Sequence, residues 1–388
     1  MKRRAFIAGA AAAASVPLRS SAQPYVPPAP DTSGPGLDAR ARRSGRHFGC
    51  AIKSSQLAKD PAFTQAVLRE AGVIVQEYEL KRHVTQPAPG RYDFSGNDRL
   101  IAFAQEHGLA ARGHTLVWYA MNPPWLQAAL PRANVRGKEE LLGGYIQTAM
   151  RRYAGKISEW DVVNEPVEPK EGRPDGLRAK NIWAEAFGER YIDMAFHIAR
   201  EADPRARLFL TDFGLEHASR RCAERRKAIL GLLERALGRG VPIDALGIQG
   251  HLKPFREQFD ERTFADFLDE VRGMGLHIAI TELDIADRGG PADVEPRDAQ
   301  VAAVGRAFLD VALANPAVGS VLSWGLSDRY SWLSTTPEYR WPDGQPSRGL
   351  PLDAQLHRKR LWAEMAAAFD AAPVRAAATN RLPKGVSA

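Results

Sequence analysis

The stretch ISEWDVVNEP, residues 157–166, decides the fold class of this chain. Its middle is an apolar run without strict alternation, which is typical of a strand buried on both faces of a parallel sheet. The run ends on Asn164, Glu165 and Pro166, where burying an amide and a carboxylate costs free energy unless both have partners. The stretch therefore predicts a buried parallel strand whose carboxyl end carries polar groups for a site.

Seven further strand-like runs surround this one and alternate with helical patterns. They are HFGCAI (47–52), VIVQEYEL (73–80), LAARGHTLVW (109–118), ARLFLTDFG (206–214), ALGIQGH (245–251), HIAITELDI (277–285) and SVLSWGLSD (320–328). With EWDVVNEP (159–166) they make eight, and amphipathic segments such as EELLGGYIQTAMRRY (139–153) lie between them. This order predicts a single (β/α)8 TIM barrel of the α/β class. An open doubly wound sheet is the alternative, but no glycine-rich fingerprint follows the first strand.

The ends of the chain differ in composition from the rest. Lys2, Arg3 and Arg4 precede a short apolar run and small residues, so residues 1–22 are predicted to be a signal peptide that looks like the twin-arginine type. The run is too short for a membrane span. We expect an exported protein, secreted or periplasmic, with a Pro/Gly-rich linker at 23–38, the barrel domain at 39–370 and a flexible tail at 371–388.

Charge, cysteine content and histidine spacing argue against a nucleic-acid partner, a disulfide and a metal site. The formal charge of +7 falls to +3 without residues 1–22, which contain four basic residues and no acid. No basic stripe is interleaved with aromatic residues, so nucleic acid is not expected as a partner. Cys50 and Cys222 are predicted to be two buried thiols rather than a disulfide. The histidines lack the ligand spacing of a zinc site, so we expect no metal and no cofactor.

Polar residues at the predicted strand ends indicate where the chemistry takes place, because the active site of such a barrel lies at the carboxyl ends of its strands. Asn164 and Glu165 lie at one end, and Glu282 and Asp284 lie at another, three strands later. Two facing carboxylates suit glycoside hydrolysis. Aromatic platforms and hydrogen-bonding groups for a sugar stand at or just past the other ends: Lys81, His114, Trp118, Gln249, His251, Trp324 and Trp332.

These motifs also carry a family resemblance. RGHTLVW (112–118), WDVVNEP (160–166), GIQGHL (247–252), ITELDI (280–285) and SWGLSD (323–328) resemble the successive motifs of glycoside hydrolase family 10, the endo-xylanases. The resemblance implies a (β/α)8 barrel and hydrolysis of a β-1,4-linked polysaccharide, xylan, with retention of configuration through a covalent intermediate. It implies that Glu165 is the acid/base and Glu282 the nucleophile.

Roles for the neighbouring residues follow from the same resemblance. Gln249 and His251 are expected to hold Glu282, with Asp284 as the partner of His251. Asn164 is expected to contact the sugar 2-hydroxyl. Substrate binding is expected from Glu77, Lys81, His114, Trp118, Trp324 and Trp332. We expect a monomer.

The chain departs from the family pattern on one side of the cleft. Tyr78, Tyr119 and Met121 stand where the family usually has polar residues, and Thr211 to Gly214 replace the usual Asn-Asp-Tyr-Asn. A lost polar contact can shift specificity by orders of magnitude. The substrate could therefore be another β-linked polymer, such as a decorated hemicellulose or a bacterial exopolysaccharide. A transglycosylase, or a carbohydrate-binding protein without activity, also remains open.

Overall fold

A computed structural model of the chain describes residues 30–375. The predicted signal peptide, the first part of the predicted linker and the end of the predicted tail lie outside these residues. Within 30–375, no helix has both the length and the apolar character needed to cross a membrane.

Eight parallel strands close into a barrel. They are β1 (His47–Ile52), β2 (Val73–Gln76), β3 (Ala110–Trp118), β4 (Glu159–Asn164), β5 (Arg207–Asp212), β6 (Ala245–Ile248), β7 (His277–Ile285) and β8 (Val318–Ser323). Each strand pairs with the next, Ala245 of β6 aligns with His277 of β7, and His47 of β1 aligns with Ser320 of β8 to close the ring. A two-residue strand, His251–Leu252, extends the sheet beside Asp284. The predicted single (β/α)8 barrel is confirmed.

Helices of very different length connect the strands. They are α1 (Leu37–Ala41), α2 (Ser54–Lys59), α3 (Pro61–Glu70), α4 (Arg82–Thr85), α5 (Ser95–Glu106), α6 (Pro124–Ala129), α7 (Val135–Arg152), α8 (Ile182–Phe187), α9 (Arg190–Ala202), α10 (Arg220–Gly238), α11 (Glu261–Gly273), α12 (Val294–Ala314) and α13 (Arg360–Ala371). Short 3-10 turns lie at Arg42–Ser44, Leu130–Arg132, Pro169–Glu171, Asp328–Tyr330 and Trp332–Ser334. The helices bury their apolar stripes against the outside of the barrel, where one continuous core includes Trp160, Ile146 and Phe196.

The described ends of the chain are held more firmly than their composition indicates. Arg358 Nη1 donates to the backbone oxygens of Thr32 and Gly34, at 3.1 and 2.8 Å. Arg375 Nε donates to the backbone oxygen of Pro316 at 2.8 Å. Thr32, Gly34 and Arg375, which lie in the predicted linker and tail, therefore form hydrogen bonds with the barrel that proline, glycine and alanine content does not reveal.

The two cysteines are free and buried. Cys50 lies in β1, and Cys222 lies in the first turn of α10. The prediction of two buried thiols is confirmed.

Candidate active site

Glu165 follows directly after β4 and lies at the mouth of the barrel. Its backbone φ of 55° is left-handed, a conformation that costs a non-glycine residue free energy. The backbone N–H of Glu165 donates to Thr211 of β5 at 2.7 Å, which holds this conformation in place. The carboxylate accepts bonds from Trp118 Nε1 and Gln249 Nε2, both at 3.0 Å, and from Asn164 Nδ2 at 3.3 Å. The site therefore fixes both oxygens of this side chain.

Glu282 lies within β7, buried between two histidines. His251 Nε2 is 3.5 Å from its Oε2, and His114 Nδ1 is 3.9 Å from its Oε1. Burial by itself would raise the pKa of Glu282, but the charges of His114, His251 and Lys81 outweigh it, so the pKa lies below its ordinary value. This carboxylate is therefore ionised near neutral pH, which an attacking oxygen needs.

Asp284 and Trp332 hold the side chain of His251 in place. Its Nδ1 lies 2.8 Å from Asp284 Oδ1, and Trp332 Nε1 donates to the other oxygen of Asp284 at 2.5 Å. Burial acts to lower the pKa of His251, but Asp284 and Glu282 raise it well above its ordinary value. His251 therefore carries a positive charge and faces one carboxylate with each ring nitrogen.

His114 is supported from inside the barrel. Its Nδ1 lies 3.0 Å from Asp161 Oδ2, and Asp161 also forms a buried ion pair with Arg112 at 2.5 Å. Burial opposes ionisation of Asp161, yet Arg112 and His114 hold its pKa well below the usual range. Asp161 is thus a structural partner of His114.

Lys81 and Glu77 complete the side of the site next to β2. Lys81 Nζ lies 4.6 Å from the ring centre of Trp118 and 5.4 Å from that of Trp324. Burial lowers the pKa of Lys81, against the charges of Glu282 and Glu165. Glu77 pairs with Lys53 Nζ at 2.8 Å, and burial raises its pKa. All twelve predicted site residues thus lie in or beside one cleft.

Comparison with known proteins agrees with this geometry. The family model described as glycosyl hydrolase family 10 matches residues 36–368. The chain belongs to this family. Endo-1,4-beta-xylanase 2 of Claviceps purpurea is 32% identical over 304 residues, which cover 77% of this chain and 84% of that protein. Beta-1,4-xylanase of Dictyoglomus thermophilum is 32% identical over 309 residues, covering 75% and 80%.

Solved structures of family 10 xylanases superpose on the barrel. Native xylanase 10B of Thermotoga maritima gives a TM-score of 0.76 at 26% identity, covering 86% of this chain and 98% of that one. Xylanase 10B of Thermotoga petrophila, solved with xylobiose, gives 0.76 at 26% identity, covering 87% and 98%. The chain is therefore a glycoside hydrolase with the family 10 fold.

One expected contact of the family 10 site differs in the structure. The side chain of Gln249 was expected to hold Glu282, but its Nε2 donates to Glu165 and to Asn164 Oδ1, the latter at 3.3 Å. Only its backbone oxygen meets Glu282, accepting the backbone N–H at 2.8 Å. Gln249 lies just past the end of β6, and from there its side chain crosses the barrel mouth toward β4.

The altered positions of this family 10 chain form two distinct groups. Tyr78 and Met121 are almost half exposed, and Tyr78 Oη bonds to His83 Nε2 at 2.9 Å. Tyr119 instead stacks against Arg178, whose guanidinium carbon lies 3.9 Å from the ring centre. Tyr78 and Met121 are free to meet a ligand, whereas Tyr119 is held by the protein.

The cleft of this family 10 enzyme continues past Glu165 into a cavity of about 350 Å³. Sequence reasoning named Trp118, Glu165, Gln249, His251, Trp332 and Tyr119 among its lining residues. It missed His217, Lys253 and Glu257 as lining residues. A run of aromatic and charged residues after β5 and β6 was the available signal, but nothing in it distinguished a cleft wall from a solvated surface.

Proposed function

We propose that the protein is a retaining endo-β-1,4-xylanase. The observation that carries the proposal is the unequal setting of two carboxylates. Glu282 is kept ionised by His114 and His251, whereas Glu165 receives hydrogen bonds from Trp118, Gln249 and Asn164. Different environments for two neighbouring carboxyl groups allow one to act as nucleophile and the other as acid and then base.

The first step of the proposed reaction is attack by Glu282 on the anomeric carbon. The bond to the leaving oxygen breaks, and Glu165 gives that oxygen its proton, so a sugar ester of Glu282 forms. In the second step Glu165 takes a proton from water, and the resulting hydroxide displaces Glu282. Two inversions give net retention.

Xylan is the proposed substrate because the relatives named above are xylanases and the cleft presents flat rings beside charged groups. In this proposal Lys81 and His114 bind hydroxyls of the sugar that reacts, and Asn164 binds its 2-hydroxyl, a contact that strengthens in the transition state. Trp118 and Trp324 line the same cleft.

Tyr78 and Met121 favour a second candidate, in which the polymer is another β-linked glycan or a decorated xylan. Their exposed apolar surfaces offer stacking rather than the polar contacts of the usual family pattern. Transfer of the sugar to a second sugar instead of water would use the same residues. Export through the predicted signal peptide at 1–22 also stays part of the proposal.

Product analysis tests the proposal. The protein is incubated with xylan, arabinoxylan, glucuronoxylan, mixed-linkage glucan and carboxymethylcellulose, with Glu165→Gln and Glu282→Gln as controls. Short xylo-oligosaccharides released only by the native protein would support a xylanase. If no xylan is cleaved but an aryl glycoside is hydrolysed in a reaction that needs both carboxylates, the substrate would be another polymer. Products longer than the starting oligosaccharides would indicate transfer.

A further inference from the structure

Three residues with metal-binding side chains meet on one wall of the cavity beside the catalytic pair. His217 lies in the loop after β5, Cys222 in the first turn of α10, and Glu257 in the segment before α11. One ligand atom from each lies within 4.8 Å of the other two. All three line the cavity that also contains Glu165, Gln249 and His251. None of the three has a part in the proposed hydrolysis.

Local bonds hold the three side chains in place. Cys222 Sγ lies 3.4 Å from Glu257 Oε2, and Ser219 Oγ donates to the same oxygen at 2.7 Å. The backbone N–H of Lys253 donates to His217 Nε2 at 3.1 Å, which fixes the ring. A neutral imidazole has a single lone pair, so coordination by His217 replaces this bond with a bond to the cation. His217 and Cys222 are buried, and Glu257 is partly exposed.

The charges around the cluster include a buried carboxylate that has a hydrogen-bond partner for only one of its two oxygens. Glu216 is 1% exposed, and its Oε1 accepts from the backbone N–H of Gly250 at 2.8 Å. Its Oε2 has no hydrogen-bond partner within residues 30–375. Buried carboxylate oxygens without a partner are costly, and a cation close by offsets that cost. The opposing positive charges include those of Lys253 and Arg221, which line the same cavity. Arg226 also opposes a cation and donates to the backbone oxygen of His217 at 2.6 Å.

We propose that His217, Cys222 and Glu257 form a binding site for a borderline-soft divalent cation of the Zn²⁺ type. An imidazole nitrogen, a thiolate and a carboxylate are the ligands that zinc takes, whereas Ca²⁺ and Mg²⁺ prefer oxygen alone. Three protein ligands leave the fourth tetrahedral position open toward the cavity, for water or a sugar hydroxyl. A bound ion would place positive charge on the cleft wall beyond Glu165.

The sequence alone does not reveal the three proposed metal ligands as one set, because they come from separate parts of the chain. His217 and Cys222 are five positions apart, and Glu257 follows 35 positions after Cys222. The absence of a zinc-like spacing in the sequence therefore does not exclude a zinc site in the folded protein. The site is a proposal that departs from the expectation of no metal.

Binding of Zn²⁺ alone, measured by isothermal titration calorimetry on the untagged full chain, tests the site. We expect one ion per chain, no displacement by excess Mg²⁺ or Ca²⁺, and a loss of at least tenfold in affinity for Cys222→Ala and for Glu257→Gln. Cys50→Ala is the matched control, because it removes the other buried thiol, and should keep native affinity. Circular dichroism checks that each variant folds. Equal affinity in native protein and Cys222→Ala, or no binding to native protein, would overturn the proposal.

Co²⁺ gives a readout that needs no variant. A thiolate bound to Co²⁺ produces a charge-transfer band in the near ultraviolet, and we expect this band to grow to one equivalent and to vanish on adding Zn²⁺. Binding of Co²⁺ without the band would exclude Cys222 as a ligand and would contradict the site as proposed. Neither readout depends on hydrolysis, so failure of the metal site and failure of the proposed xylanase function are separate results.

Discussion

Gln249 contacts both residues of the proposed catalytic pair: its side-chain Nε2 donates to Glu165 Oε1 at 3.0 Å, and its backbone oxygen accepts the N–H of Glu282 at 2.8 Å. Gln249, which lies one residue past the end of β6, therefore connects β4 to β7 across the barrel mouth. Both contacts help to set the distance between the carboxyl groups of Glu165 and Glu282. In a retaining mechanism that separation must be about 5 to 5.5 Å.

Gln249→Ala should reduce cleavage of xylan more than its effect on folding would explain. The variant removes the side-chain bond to Glu165 and leaves the backbone contact with Glu282. A hydrogen bond to a charged group contributes about 1.5 to 3 kcal/mol, so we expect kcat on xylan to fall roughly 10- to 100-fold. An aryl glycoside with a good leaving group should lose less, because it needs little help from an acid. Gln105→Ala, on the exposed face of α5, is the control. Equal losses on both substrates would contradict this role.

Asp284→Asn should shift the acid limb of the pH–rate profile to higher pH. Without the charge of Asp284, the pKa of His251 falls, and a neutral His251 no longer lowers the pKa of Glu282. Glu282 then becomes protonated at a higher pH, and activity is lost as pH falls through that raised value. The measurement is kcat/KM against pH on an aryl xyloside, with the exposed Asp293→Asn as control. An acid limb that stays at its native pH would show that His251 does not tune the nucleophile.

Lys359→Met should destabilise the protein more at pH 7.5 than at pH 5. Lys359 Nζ lies 2.7 Å from Asp328 Oδ2, and both side chains are buried. Burial raises the pKa of Asp328 to about 6, although Lys359 opposes the shift. An acid with a raised pKa binds its proton more tightly in the folded state, so its contribution to stability falls as pH rises from about 4 through 6.

Removing Lys359 strengthens this dependence, because the Asp328 carboxylate loses its ion-pair partner and keeps only the charge of Arg348 among the cations that lower its pKa. We expect a loss of about 3 kcal/mol at pH 7.5 and clearly less at pH 5, where Asp328 is largely protonated. Thermal unfolding at the two pH values measures it, with the exposed Lys227→Met as control. The same loss at both pH values would contradict the assignment of the raised pKa to Asp328.

Tyr78→Ala should weaken binding of the polymer without changing the chemical step. The exposed ring of Tyr78 offers a surface on which a sugar can stack, and a lost stack is worth about 1 kcal/mol. We expect KM for xylohexaose to rise roughly fivefold, with kcat on an aryl xyloside unchanged. Tyr78→Phe keeps the ring and loses only the bond to His83, so it should behave as native. If Tyr78→Phe were as damaging as Tyr78→Ala, the hydroxyl rather than the ring would be the binding group.

The barrel was predictable because each strand is a compact apolar run between helical patterns. HFGCAI and HIAITELDI match β1 and β7 in full. The run 73–80 was predicted too long, since β2 ends at Gln76 and Glu77 to Leu80 turn toward α4. Strand-end position was enough to bring the predicted site residues into one cleft, because parallel strands place all their carboxyl ends on the same face.

Side-chain direction and long-range partners were not predictable in the same way. The sequence places Gln249 at a strand end but does not reveal that its amide crosses to Glu165. Likewise Arg358 and Arg375 fix the ends of the described segment, residues 30–375, through backbone oxygens that no motif marks. These contacts depend on which segments the closed barrel brings together, and that information lies in the tertiary structure alone.

In the proposed mechanism Glu282 attacks the sugar and forms a covalent ester. A 2-deoxy-2-fluoro xyloside with a good leaving group slows the second step, so the ester should accumulate and be visible by mass spectrometry of the intact protein. We expect one added sugar per chain, located on the peptide that contains Glu282, and none in Glu282→Gln. A label on Glu165, or release of a product of inverted configuration with no labelled protein, would contradict it.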